Sequence, residues 1–211
     1  MEKKKRQMPS LLKRILALDV YLTDQFVRNI DKFVPLRQLK VHNKVLEISA
    51  HGILWLAGWL ALVWIISSTN LYQMQVNLYI GLLIDVIVVA IIKAITRRRR
   101  PAKNDDLFEI GPDKYSFPSG HASRSTFITY FFINLWNLPI ILILPLIAWS
   151  TSICISRVLM RRHHLLDVIA GVLLGILEGF FIGLIYLESE TCIGLISWLT
   201  DEKLDGGEYH V

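Results

Sequence analysis

The chain has 211 residues, 53% hydrophobic and 19% charged, with a net charge of +5. That is the length of one domain and too apolar for an ordinary soluble fold, so the composition points to a membrane protein. The basic balance suits nucleic acid, anionic lipid or a phosphorylated substrate alike, and the position of the charge must choose among them.

A basic tail, residues 3–6, leads into MPSLLKRILALDV. This start looks like a signal peptide, but Lys13, Arg14 and Asp19 break its apolar run and no small-residue cleavage site follows, so it is read as retained. From Ser10 to Val34, Leu11, Ile15, Leu18, Leu22, Phe26, Ile30 and Phe33 recur at helical spacing. Charged residues fill the other side, among them Lys13, Arg14, Asp24, Arg28, Asp31 and Lys32. Ser10 is the expected N-cap and Pro35 the stop. So many charges argue against a span, which leaves an amphipathic helix lying in the membrane interface.

Five spans are predicted next, each near the length a bilayer requires. They fall at Ile48–Ser68, Val76–Thr96, His121–Trp136, Pro139–Val158 and Leu166–Leu187. Cys192–Leu199 is apolar but short, either a sixth element or an interfacial tail. The expected fold is therefore an all-α integral membrane bundle of five or six transmembrane helices. Residues 1–47 form a basic tail and interfacial helix, 48–199 a membrane-embedded domain, and 200–211 a C-terminal tail. Cys154 and Cys192 lie in apolar surroundings without metal-ligand spacing and are read as packing residues.

Lys and Arg are distributed unevenly along this plan. Eleven precede the first span; Lys93, Arg97 to Arg100, Lys103, Lys114 and Arg124 flank the connection after the second; Arg157, Arg161 and Arg162 follow the fourth. With five spans all of these share one face, while residues 69–75 and 137–138 carry none. The positive-inside rule puts the N-terminus and both basic connections in the cytosol.

Three blocks meet at that face: Lys93 to Pro101, Pro118-Ser119-Gly120-His121, and Ser156 to Asp167. Alone, each has a plain reading. The four arginines could be a stop-transfer anchor or a lipid-headgroup patch, the second block a turn with an N-cap, the third another cytosolic anchor. Nucleic acid is disfavoured, because no aromatics are interleaved and no soluble domain presents the charge.

Together they supply what a phosphoryl group at a membrane surface needs. Lys93, Arg100 and Arg157 offer cations, and the arginine fork suits phosphate oxygens. Ser119 offers a hydroxyl, and the Gly120 and His121 N–H groups stand at a helix N-terminus, a natural anion site. Gly120 also permits close backbone approach. His163 and Asp167, four apart, would share a helical face, the carboxylate fixing the imidazole tautomer. His121 could then protonate the leaving oxygen.

The blocks read K-x6-R-P, P-S-G-H and S-R-x5-H-x3-D, and in order and spacing they resemble the type 2 phosphatidic acid phosphatase superfamily. The likeness covers roughly residues 50–187. The wording RRRRPAKND and DKYSFPSGHA is further similar to the polyisoprenoid diphosphate phosphatases of presqualene diphosphate type. The resemblance implies an acid phosphatase/vanadium haloperoxidase-like core and a two-step hydrolysis of a lipid phosphate or isoprenoid diphosphate, with no metal or other cofactor. It implies His163 as nucleophile, Asp167 as its partner, and His121 as acid. Lys93, Arg100, Ser119, Gly120 and Arg157 would hold phosphate. It also implies the endoplasmic reticulum. His164 lies outside the pattern and is expected at the surface or beside the site.

A metal site built from His163, His164, Asp167 and His121 is the poorer alternative, since the fixed cations would repel a divalent ion. A haloperoxidase is disfavoured by the membrane setting, and a lipid-binding scaffold remains the non-catalytic rival. Asp85 and Glu178, acids inside predicted spans, are expected to form an interior pair or to line a channel.

Overall fold

The computed structural model describes residues 9–102 and 114–200, with the side chains of Leu199 and Thr200 excepted. The basic tail, Lys103, Lys203 and residues 201–211 lie outside the described residues. Among the described residues eight α-helices follow in order: α1 Ser10–Phe33, α2 Lys40–Ser49, α3 Gly52–Ile65, α4 Thr69–Thr96, α5 Gly120–Tyr130, α6 Ile140–Leu159, α7 Leu165–Leu184 and α8 Ser189–Thr200. A π-helical turn, Phe131–Leu135, prolongs α5. An antiparallel bridge pairs Arg99 with Tyr115.

Among the described residues, α4, α6 and α7 are long and apolar enough to cross a membrane. The pair α2–α3, bent by 52°, makes a fourth candidate. The expected all-α membrane bundle is thus present with three to four candidate spans among the described residues; a count of five or six is not reached by length and composition. The expected third span is α5 with its π-helical extension, and α5 itself is rich in Ser and Thr and carries Arg124. It buries Ser123, Arg124, Ser125, Phe127 and Ile128 among α4, α6 and α7, so its polar groups meet protein rather than lipid. The twelve-residue α8 packs Cys192 and Ile196 on Tyr72 of α4. Cys192 is thus an apolar packing residue, as expected.

A glycine stripe explains how α5 enters the bundle. Gly171, Gly175 and Gly179 recur every four residues along α7. A Cβ at Gly171 would stand 2.5 Å from the Ser119 carbonyl oxygen, and one at Gly175 would strike that of Ser123. Small residues here let two backbones touch, as in tightly packed membrane helices. Below this contact Phe127 and Phe131 join Leu78, Leu82 and Ile182 in the main core.

The helix α1 turns its polar side inward. Asp19 and Thr23 are buried, while Leu11, Ile15, Leu18 and Leu22 face outward. The cause lies at the start of α7, whose first N–H groups lack intrahelical acceptors. Thr23 Oγ1 accepts from the Leu165 N–H at 3.1 Å, and Asp19 Oδ1 accepts from the Leu166 N–H at 3.0 Å. The outward apolar stripe is what an interfacial helix presents to lipid. Pro9, not Ser10, occupies the N-cap position, and the helix ends at Phe33, ahead of Pro35.

Asp85 and Glu178 are both buried, with Arg124 nearby. Arg124 Nη2 lies 2.6 Å from Asp85 Oδ2, and Ser123 Oγ donates to Glu178 Oε2 at 3.2 Å. Arg124 is therefore not part of the exposed basic face to which the charge count assigns it. It is the interior counter-ion, and its Nη1 also donates to the Ala50 carbonyl at the α2–α3 bend (2.9 Å).

Candidate active site

His163 occupies the turn between α6 and α7 and is 1% exposed. Its Nδ1 lies 2.7 Å from the Ser116 carbonyl oxygen. A carbonyl can only accept, so Nδ1 carries the proton and Nε2 keeps its lone pair. Burial first, then the charges of Arg157, Lys93 and Arg100, hold the ring well below the usual histidine range. The result is a neutral imidazole with a nucleophilic nitrogen in a cationic setting.

Two of the cations come from helix ends and Arg100 from the loop after α4. Lys93 is buried in the last turn of α4, and Arg97 ends that helix in a left-handed conformation, φ 51°. The chain then runs through Arg98 and Arg99 to Arg100. Arg157, in the last turn of α6, is 1% exposed; its Nη1 donates to Glu47 Oε1 at 2.8 Å, and its Nε is buried without a hydrogen-bond partner. An orphaned donor on a buried guanidinium is costly unless an anion meets it.

The second block starts α5. Ser119 is the N-cap: its Oγ accepts from the Ala122 N–H at 3.4 Å, and its own N–H donates to the Asp167 carbonyl at 2.9 Å. The Ser119 hydroxyl proton stays available, and Gly120 and His121 follow with the unpaired N–H groups of a first helical turn. The space beside Gly120 is taken by Val89 of α4, so this glycine serves helix packing as well as close approach. His121 Nε2 donates to the Glu47 carbonyl at 3.1 Å, and Arg157, Arg124, His163 and Lys93 all bear on its ring.

The structure places His163 and Asp167 side by side, but without a hydrogen bond between them. His163 precedes α7 rather than lying in it, and the two side chains meet at ion-pair distance, longer than a hydrogen bond. Asp167 Oδ2 is 3.9 Å from His163 Nδ1. The carboxylate answers the bare N–H groups of the α7 start: Oδ2 accepts from the His164 N–H at 2.8 Å, and Oδ1 from Arg98 Nη1 at 2.7 Å. Arg98 also pairs with Asp19 of α1 at 2.5 Å. His164 is the N-cap of α7 and is buried, not on the surface. Two contributors escaped the sequence: the Ser116 carbonyl, a backbone atom with no signature, and Glu47, outside all three blocks. Only its position in the last turn of a charged, half-apolar helix could have flagged Glu47.

Among the described residues no three His, Cys, Asp or Glu side chains gather closely enough to hold a metal ion. Beside the site, Arg98, Arg99, Arg100 and Arg161 edge a cleft of about 390 Å³ whose other walls include Leu16, Val20 and His164.

Fold and site together define a membrane-embedded helical bundle with a buried histidine ringed by cations. The chain belongs to the PAP2 superfamily, whose profile matches residues 74–189 and so contains all three blocks. It is 36% identical over 141 residues to a protein of Arabidopsis thaliana named "Probable lipid phosphate phosphatase beta", a match over 54% of this chain and 66% of that one. It is 46% identical over 69 residues to sphingosine-1-phosphate phosphatase 1 of Rattus norvegicus, over 30% of this chain and 16% of that one. The chain thus spans less than two thirds of either relative. The crystal structure of a transmembrane PAP2 type phosphatidylglycerolphosphate phosphatase from Bacillus subtilis shares the fold, with a TM-score of 0.60 at 20% identity over 81% of this chain and 85% of that one.

Proposed function

We propose that this protein is an integral membrane lipid phosphatase working through a phosphohistidine. The observation that carries the reading is the 2.7 Å contact of His163 Nδ1 with the Ser116 carbonyl, which leaves Nε2 unprotonated among Arg157, Lys93 and Arg100. Nε2 attacks phosphorus; a P–N bond forms as the P–O bond to the leaving group breaks. His121 acts as the imidazolium: with the anionic phosphate bound it carries a second proton on Nδ1, and it gives that proton to the departing oxygen while its Nε2–H stays on the Glu47 carbonyl. Water then attacks phosphorus, His121 takes its proton, and the P–N bond breaks to release inorganic phosphate. Lys93, Arg100, Arg157, the Ser119 hydroxyl and the first-turn N–H groups of α5 neutralise the phosphoryl oxygens, a part a metal plays elsewhere.

The proposed substrates are polyisoprenoid diphosphates such as farnesyl, geranylgeranyl or presqualene diphosphate. The wording RRRRPAKND and DKYSFPSGHA supports this, although residues 103–113 lie outside the described part. The cleft beside the site adds Arg99 to this, while Arg98 and Arg161 there are already paired with Asp19, Asp167 and Asp24. A second reading, a lipid monophosphate such as a sphingoid phosphate or phosphatidate, is favoured by the names of the relatives. The basic end is proposed to face the cytosol, in the endoplasmic reticulum and nuclear envelope.

The test uses the purified full chain in matched detergent micelles with a panel of these lipids and no added divalent metal. Phosphate release that survives His163→Ala would sink the mechanism, as would a wild-type protein that releases none. A clear preference for phosphatidate would replace the diphosphate reading with the second one.

A further inference from the structure

We propose that Glu47 of α2 is a positioning residue that sets Arg157 for phosphate. This rests on the reading of the site as phosphate-binding. Glu47 lies outside both the three blocks and the stretch matched by the family profile. Nevertheless it is buried, and it enters the site twice. Its Oε1 accepts from Arg157 Nη1 at 2.8 Å, and its backbone carbonyl accepts from His121 Nε2 at 3.1 Å.

A carboxylate among phosphate-binding cations could be one of two things: an occupant of the phosphate's own place, or a brace. The arginine fork decides. A guanidinium presents two edges, one ending in Nη1 and the other formed by Nε and Nη2. Glu47 holds Nη1. The orphaned donor is Nε, on the other edge. The anion's place is thus the Nε–Nη2 edge, and Glu47 fixes the guanidinium from the opposite side without competing for it. Burial adds a reason for the charge: an arginine this deep requires a permanent counter-ion when no substrate is bound.

Glu47 is itself held. Lys44 Nζ lies 2.7 Å from its Oε2. The bend after α2 is anchored by Arg124 at the Ala50 carbonyl, and Trp149 Nε1 donates to Ser49 Oγ at 3.0 Å. Arg157 therefore meets a carboxylate on a braced helix.

The test is equilibrium binding of inorganic phosphate to the purified full chain in detergent, read by calorimetry, so that it does not depend on turnover. Glu47→Gln keeps the shape and loses the charge, and is expected to weaken phosphate binding about tenfold. Glu47→Asp keeps the charge with a shorter reach and is expected to lose less, about threefold. In an Arg157→Lys background, Glu47→Gln should add less than about twofold, because the two act as one unit. Wild-type affinity in either Glu47 variant, tighter binding, or independent multiplication of the two effects overturns the proposal; if Glu47→Gln fails to fold, Glu47→Asp decides. A wild type that binds phosphate but hydrolyses no lipid phosphate would defeat the catalytic reading and leave this one standing.

Discussion

The Nδ1 of His163 lies 2.7 Å from the carbonyl oxygen of Ser116 and 3.9 Å from the carboxylate of Asp167. The tautomer of the proposed nucleophile is thus set by a backbone atom, and Asp167 has a different duty. It ties Arg98 and the start of α7 together next to the histidine. Loss of the two side chains should therefore differ in kind. His163→Asn should reduce phosphate release by at least about 10⁴-fold and abolish any acid-labile phosphoenzyme. Asp167→Asn should still form the phosphoenzyme, but with lower thermal stability, since Arg98 loses one of its two carboxylates. Rapid-quench trapping of labelled phosphate on protein separates the cases. No trapped phosphoenzyme in a folded Asp167→Asn protein would return the orienting role to the carboxylate.

Burial and the cations around His163 depress its pKa, and the sign of the consequence is fixed. The reactive form is neutral, so a lowered pKa keeps it populated as pH falls below 6.5, the ordinary histidine value. The acid limb of kcat/KM should lie below that value. Removing a cation favours the protonated ring and raises its pKa, so Lys93→Met should move the limb to higher pH while lowering activity throughout. The check is a pH–rate profile of both proteins on one lipid, so that substrate ionisation is common to the two. An unmoved or acid-shifted limb would contradict the assignment.

Much of this site could be read from the chain because its parts are local. Lys93 to Pro101, Pro118 to His121 and Ser156 to Asp167 are short runs with fixed spacing, and the fold brings them to one end of the bundle. What could not be read depends on tertiary satisfaction of polar groups. The Ser116 carbonyl is invisible in a side-chain code. Asp19 and Thr23 point inward because the start of α7 leaves N–H groups bare, a demand that the periodicity of α1 does not reveal. Arg124 looked like one more basic flank until Asp85 was placed opposite it. The spacing of Gly171, Gly175 and Gly179 was present in the sequence, but it is hidden in an apolar run whose hydropathy alone already predicts a span.

That glycine spacing carries a packing prediction. At Gly175 a new Cβ strikes the Ser123 carbonyl and comes within 2.9 Å of the Phe127 nitrogen, both backbone atoms that cannot swing aside. Gly175→Val should force α5 away from α7, at a cost of about 3 kcal/mol, and shift Ser119 and His121 with it. Gly58 of α3 has nothing within 4 Å of its would-be Cβ, so Gly58→Ala is the control and should match wild type. Thermal unfolding in detergent compares them. A Gly175→Val protein with wild-type stability would show that the α5–α7 contact is not what holds the bundle.

The buried charges of Asp85, Arg124 and Glu178 separate two ideas about why a membrane bundle keeps ions inside. If they serve stability, any replacement weakens the fold; if the arginine is there to hold the acids, removing all three is milder than removing the arginine alone. The geometry favours the second. Arg124 is the cation facing Asp85 at 2.6 Å, and Glu178 hangs on Ser123 one residue away. Arg124→Met strands a carboxylate in a dry core and should cost about 3–5 kcal/mol. It also frees the Ala50 carbonyl and with it the α2 brace, so residual activity should fall further than stability alone explains. Combining Arg124→Met with Asp85→Leu and Glu178→Met removes the stranded charges and should recover more than half of the lost stability, while activity stays low because the Ala50 anchor is still missing. Unfolding in detergent and phosphate release, measured on the single and triple variants, check both parts. A triple variant less stable than Arg124→Met alone would show that each ion holds the fold in its own right.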